Sequence, residues 1–146
     1  MPEIVPIDEV LTKVQHFSPL QRILLTTAGT LQSTLAAYFG SPVTVAVITQ
    51  RAQGYKVYSR QVELRCQGRA VCDAYSTLTI EKANIRKAVE AKKIGIGQIL
   101  EAAGLRPKFT LIVVEQSPIA FWRHYTLEVP GVTYQIQETF RKELYP

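Results

Sequence analysis

Val57-Tyr58-Ser59-Arg60-Gln61-Val62-Glu63-Leu64-Arg65-Cys66, then Gln67-Gly68-Arg69, then a second run from Ala70 to Ile80, is the stretch whose reading decides the fold. In the first run Tyr58, Arg60, Val62, Leu64 and Cys66 alternate with Val57, Ser59, Gln61, Glu63 and Arg65, the period of two that sends successive side chains to opposite faces of a strand. The glycine-bearing joint between two such runs reads as a hairpin, so the two strands are antiparallel. Working outward, the same period recurs at 43–48, 109–115, 119–128 and, after the Pro130-Gly131 turn, 132–140. Residues 1–17 are mixed in pattern, with Pro2 and Pro6, and helical spacing appears in three further stretches. Ser18-Pro19-Leu20-Gln21 supplies an N-cap, a proline for the first turn and a capping-box glutamine. Leu20, Ile23 and Leu24, then Leu31, Leu35, Tyr38 and Phe39, form an apolar stripe interrupted at 26–30, which predicts two consecutive helices or one broken at Gly29, ending at Gly40. Ile85, Ala88, Val89 and Lys92 predict a helix within 81–93, and a short helix follows over about 96–103. Helices flanking hairpin-connected strands, without strict alternation, predict an α+β fold with a mainly antiparallel sheet.

The 146 residues are one domain's length, and 47% hydrophobic with 20% charged is globular composition. A single domain over 1–146 is expected, with 1–17 as a peripheral N-terminal segment. Collagen-like, disordered and disulfide-scaffold classes are excluded. Seventeen Lys and Arg against 12 Asp and Glu give a formal charge of +5, which favours an anionic partner: nucleic acid, membrane surface or a small acid. Lys82, Arg86, Lys87, Lys92 and Lys93 cluster on one helix, but Glu81 and Glu90 interleave with them and no aromatic-rich basic strand accompanies them, so this reads as a solvated face rather than a nucleic-acid site. No apolar run approaches the roughly 18 residues of a membrane span. The acidic first ten residues do not resemble a secretion signal, and the expectation is a cytoplasmic protein. Cys66 and Cys72 have no Cys-x-x-Cys spacing, and a two-residue turn at Gly68-Arg69 places them on opposite faces, so no disulfide is expected. His16 and His124 do not make a metal site, and Ser59 and Ser76 lack a histidine partner pattern for nucleophilic catalysis.

Three charges fall on apolar strand faces. Arg60 shares a face with Tyr58, Val62 and Leu64; Glu138 lies between Ile136 and Phe140 on the face of Val132 and Tyr134; Arg123 lies among Ile119, Phe121, Tyr125 and Leu127. Trp122, on the other side of its strand, is expected to pack under a helix. A charge on a buried face calls for a partner. Two readings stand: a structural ion pair between Arg60 and Glu138, or bulges that expose them; and an apolar pocket in which guanidinium groups take the carboxylates of a small acid while Glu138 accepts its hydroxyl or exchanges a proton. Ile94-Gly95-Ile96-Gly97-Gln98-Ile99-Leu100 adds glycines at a helix start, where backbone N–H groups can meet an anion or the helix can pack tightly on the sheet.

Taken in order, these segments resemble the chorismate pyruvate-lyase family. Ser59 to Cys66, with Gly68 and Ala74-Tyr75-Ser76, is similar to its Arg-x-Val-x-Leu strand and following hairpin. The 94–100 segment is similar to its Pro-Leu-Gly-x-x-Leu segment, and Ile136-Gln137-Glu138-Thr139-Phe140 to its terminal Thr-Glu-x-Phe strand. Ser18 to Leu25 with Gly29-Thr30-Leu31 resembles a divergent branch found in cyanobacteria and actinobacteria. The resemblance implies a monomeric, cofactor-independent lyase that cleaves chorismate to 4-hydroxybenzoate and pyruvate, toward ubiquinone, plastoquinone or other phenolic products. It places the carboxylate-binding arginine on Arg60, the pocket glutamate on Glu138 and a substrate-binding backbone position on Ile96, with Arg60 and Glu138 as the catalytic pair. Arg123 is assigned to the second carboxylate of the dianion. Two departures stand out: Gly95-Ile96-Gly97 replaces Pro-Leu-Gly, and Phe140-Arg141-Lys142 lacks the family's proline. The alternative is a non-catalytic effector-binding module of the UTRA type, which shares the arginine-bearing strand but normally follows a winged helix, a segment not recognised in this sequence.

Overall fold

A computed structural model describes residues 7–29, 31–91 and 96–146. Three helices, α1 (Ile7–Val14), α2 (Pro19–Thr26) and α3 (Leu31–Phe39), lead into β1 (Val43–Gly54), β2 (Val57–Cys66) and β3 (Arg69–Ile80). Then come α4 (Ala83–Glu90), α5 (Ile96–Ala102), β4 (Lys108–Gln116), β5 (Ala120–Val129) and β6 (Val132–Arg141). The strands form one six-stranded antiparallel sheet in the order β1-β2-β3-β6-β5-β4, so each half is a meander and the halves join where β3 meets β6. This is the α+β architecture expected from the alternation.

Local chemistry accounts for the element boundaries. Ser18 accepts from the Gln21 N–H while the Gln21 side chain accepts from the Ser18 N–H, a reciprocal box that starts α2. Gly40, at φ +66°, ends α3 in the left-handed region that glycine adopts without a Cβ penalty. The β2–β3 turn is Gln67-Gly68, both at positive φ as a type I′ hairpin requires, one residue earlier than expected.

One sheet face is buried. Val14, Leu24, Leu35, Leu64, Cys72, Phe121 and Phe140 belong to one cluster, and Val10, Leu78, Ile85, Val89, Leu100, Tyr125 and Ile136 to the other. The buried apolar residues of the described helices thus all cluster with inward-facing strand residues. The described part of the N-terminal segment is therefore not peripheral: Val14 is fully buried, and Val10 and Phe17 nearly so. The opposite face stays open and polar, and Trp122 lies there half-buried beside strand neighbours Glu115 and Thr139 rather than under a helix. Cys66 and Cys72 also differ from expectation. A register shift at Leu64/Arg65 pairs Cys72 with Leu64, turning both cysteines to the buried face, where they remain free thiols.

On α4, Ile85 and Val89 are buried, and Arg86 donates to the carbonyls of Ile80 and Glu81. Lys92 and Lys93 lie outside the described residues. Among the described residues, no helix is long and apolar enough to cross a membrane.

Candidate functional site

Sheet register assembles the polar groups row by row. On the buried face, Val62, Ala74, Glu138 and Arg123 lie side by side on β2, β3, β6 and β5. The next row on that face is Arg60, Ser76, Ile136 and Tyr125, and the one after it Tyr58, Leu78, Tyr134 and Leu127. The charged row thus separates Ile136 and Tyr125 of one core cluster from Phe140 and Phe121 of the other.

A cavity of about 560 Å³ opens over these rows, walled by α3 through Leu31 and Ala36, by α5 through Gln98 and Glu101, and floored by Leu64, Tyr134 and Ile136. Glu138, Arg123 and Tyr125 line it too. Its surface is mainly apolar, which suits a ring, with a few polar groups to orient it. A second concavity, of about 680 Å³, lies on the open face around Gln61, Tyr75, His124, Gln135 and Gln137. It is broader, and Arg60 and Ser76 are in its lining, whereas the Arg123–Glu138 pair lines the first.

Glu138 is held at both oxygens. Arg123 Nε donates to Oε1 at 2.7 Å, and the Tyr125 hydroxyl donates to Oε2 at 2.9 Å. Arg123 Nη1 also donates to the carbonyls of Leu25 (3.1 Å) and Thr27 (2.7 Å), satisfying acceptors left over at the C-terminal end of α2, where a cation also complements the helix dipole. Its guanidinium carbon lies 4.5 Å from the Tyr125 ring centroid and 5.5 Å from that of Phe109, both within cation–π range. Burial alone would lower the Arg123 pKa; the charge of Glu138, helped by Tyr125 and the Glu138 hydrogen bond, more than offsets this and holds it above the ordinary arginine value.

The buried ion pair is therefore Arg123 with Glu138, not Arg60 with Glu138. Arg123 stands at the cavity wall, but its first engagement is with Glu138 and the end of α2 rather than with a ligand carboxylate. Arg60 is 3% exposed, and burial draws its pKa down, with the Tyr134 phenol close enough to oppose that shift. Ser76 lies beside the same phenol. Arg60 and Glu138 are two strands and one same-face row apart, which puts their Cα atoms roughly 12 Å from each other by ordinary strand spacings. Ile96 opens α5; Ile94 and Gly95, and the side chain of Ile96, lie outside the described residues.

Tyr125 and Tyr134 belong to the site although the sequence reading gave them no role. The signal was available: both sit on buried strand faces, and a buried tyrosine needs a partner for its hydroxyl. Both phenols, and the Cys72 thiol, are pushed up in pKa, by burial first and by the Glu138 charge second. In the unfolded chain these groups ionise near their ordinary values, 10.0 for tyrosine and 9.0 for cysteine. Above those values the unfolded chain loses protons that the folded chain keeps. Stability is thus whole below about pH 9 and falls as pH rises toward the folded values, by about 1.4 kcal/mol per pH unit for each group. Urea midpoints are expected to drop steeply above about pH 9 to 10; a flat profile there would contradict the buried, protonated assignment.

No protein-family model matches the chain, and no curated protein sequence matches it.

Proposed function

We propose that this cavity holds chorismate and converts it to 4-hydroxybenzoate and pyruvate without a cofactor. The observation that carries the reading is a buried carboxylate, Glu138, in the wall of a mainly apolar cavity, with a buried guanidinium, Arg60, one same-face row away on the sheet beside that cavity rather than in its lining. A para-substituted ring with a hydroxyl at one end and a carboxylate at the other matches that polarity, and with a hydrogen bond at each end it spans a comparable length. Arg60 takes the ring carboxylate through its planar fork, and Glu138 accepts from the hydroxyl. Nη2 of Arg123, which makes no hydrogen bond among the described residues, is the donor available to the enolpyruvyl carboxylate.

The chemistry asks little of the protein beyond geometry. The C3–O ether bond breaks, its electron pair leaves with the enolpyruvyl oxygen, the C4 proton is lost, and the C4–H pair enters the ring, which becomes aromatic. The enolpyruvate carbon takes up a proton to give pyruvate, so atoms and charge balance. Holding the reactive conformer and stabilising the departing enolate are the tasks left to the site. With both oxygens already accepting hydrogen bonds and one paired to a buried cation, Glu138 suits an acceptor more than a strong base, which favours transfer of the C4 proton within the substrate.

The same fixed carboxylate favours a second reading, a pocket that binds a hydroxylated aromatic acid without turning it over. One assay separates the two. Purified protein given chorismate without added metal is expected to release pyruvate and 4-hydroxybenzoate in equal amounts; tight binding of 4-hydroxybenzoate with no product would leave the binding module.

A further inference from the structure

We infer that Tyr125 is a resident competitor for Glu138: its phenol occupies the carboxylate oxygen that the phenolic hydroxyl of a 4-hydroxylated aromatic acid would use, so the cavity holds that acid less tightly than its polarity alone would allow. The inference rests on the reading just proposed and concerns how the same site releases its product.

The geometry is specific. The Tyr125 hydroxyl donates to Glu138 Oε2 at 2.9 Å, and this is a phenol-to-carboxylate hydrogen bond, chemically the one a 4-hydroxybenzoate hydroxyl would make. Tyr125 is rigidly placed. Its ring lies against Phe109 with centroids 4.9 Å apart and beneath the Arg123 guanidinium, and the residue is 7% exposed. Arg123 holds the other oxygen, so Glu138 is satisfied before any ligand arrives. An arriving hydroxyl must displace the Tyr125 phenol or share a carboxylate whose charge is already divided between two donors. Either way it gains less than it would from a carboxylate with an open oxygen.

Two consequences separate this role from plain structural support. In the wild-type protein, an acid lacking the hydroxyl leaves no buried group without a partner, so the preference for 4-hydroxybenzoate over benzoate should be small, within about tenfold. That contrasts with the roughly 10⁴- to 10⁵-fold of sites whose polar groups wait for the ligand. In Tyr125→Phe, Oε2 loses its internal donor and the ligand hydroxyl takes the place. The preference for 4-hydroxybenzoate is then expected to rise about tenfold or more, as for a hydrogen bond to a charged group. Benzoate affinity should stay as it was.

Titration calorimetry with 4-hydroxybenzoate and benzoate, on the wild type and on Tyr125→Phe, tests this. A small wild-type preference that grows in the variant supports the inference. An unchanged or reduced preference in a folded variant overturns it. If the variant does not fold, the wild-type ratio decides: within about tenfold supports the inference, and a larger ratio overturns it. Binding of neither acid to the wild type overturns the proposed function and this inference together, whereas binding with the wrong ratios overturns the inference alone.

Discussion

Arg123→Met is expected to lower the free energy of unfolding by about 3 to 5 kcal/mol, the usual cost of leaving the other half of a buried ion pair uncompensated. The loss is large because one side chain serves three acceptors. Without it, Glu138 Oε1 loses its partner and the carbonyls of Leu25 and Thr27 at the end of α2 lose theirs. Against a total of about 5 to 15 kcal/mol for an ordinary domain, the variant stands near the limit of folding. Replacing both partners, Arg123→Met with Glu138→Leu, removes the buried charge altogether and is expected to recover much of the loss, because a matched apolar pair avoids the desolvation penalty. Urea unfolding of the two variants checks this. A cost below about 1 kcal/mol for Arg123→Met alone would show that the pair contributes little to holding α2 on the sheet. The same logic qualifies Glu138→Gln: it leaves a buried cation facing a neutral amide, so any loss of turnover in it must be read beside its stability.

Arg60→Ala should act on ligand handling. If Arg60 takes the ring carboxylate as proposed, its removal is expected to reduce chorismate turnover by at least about a hundredfold, in line with truncating one partner of a buried charge-assisted contact. Burial disfavours the charged form of Arg60 and draws its pKa down, with the Tyr134 phenol opposing the shift. Internal pairing with Glu138 does not account for its presence on the buried face, since both Glu138 oxygens are engaged by Arg123 and Tyr125. Steady-state rates measured beside a thermal melt separate the two effects. A folded Arg60→Ala protein with wild-type turnover would remove Arg60 from the site.

Much of this was legible in the chain. The switch between periods of two and 3.6 located the strands and the helices from α2 onward, though not α1, because alternation and capping are written locally: Ser18 and Gln21 close their own box, and Gln67-Gly68 makes its own turn. The buried faces were legible too, and Arg60, Arg123 and Glu138 all fall on them. What alternation alone does not state is which residues meet across strands. Arg60 was weighed as the partner of Glu138, whereas Arg123 and Glu138 lie equally far from the Pro130-Gly131 turn, which makes them cross-strand neighbours in a regular hairpin. That symmetry was there to be used. The Leu64/Arg65 register shift was not, since a bulge leaves no fixed residue signature, and it reversed the expected facing of the cysteines. Burial of the N-terminal helix was missed for a further reason: the apolar residues Val10, Val14 and Phe17 need α2 and the sheet around them before their spacing has a surface to match.

The most direct test of where this chemistry sits is a crystal structure of the protein with 4-hydroxybenzoate bound. The ligand is expected under α3 and α5, its hydroxyl within hydrogen-bond distance of Glu138 and its carboxylate turned toward Arg60. A ligand found instead in the open-face concavity around Tyr75 and Gln137, or lying in the covered cavity with its carboxylate away from Arg60, would contradict the account.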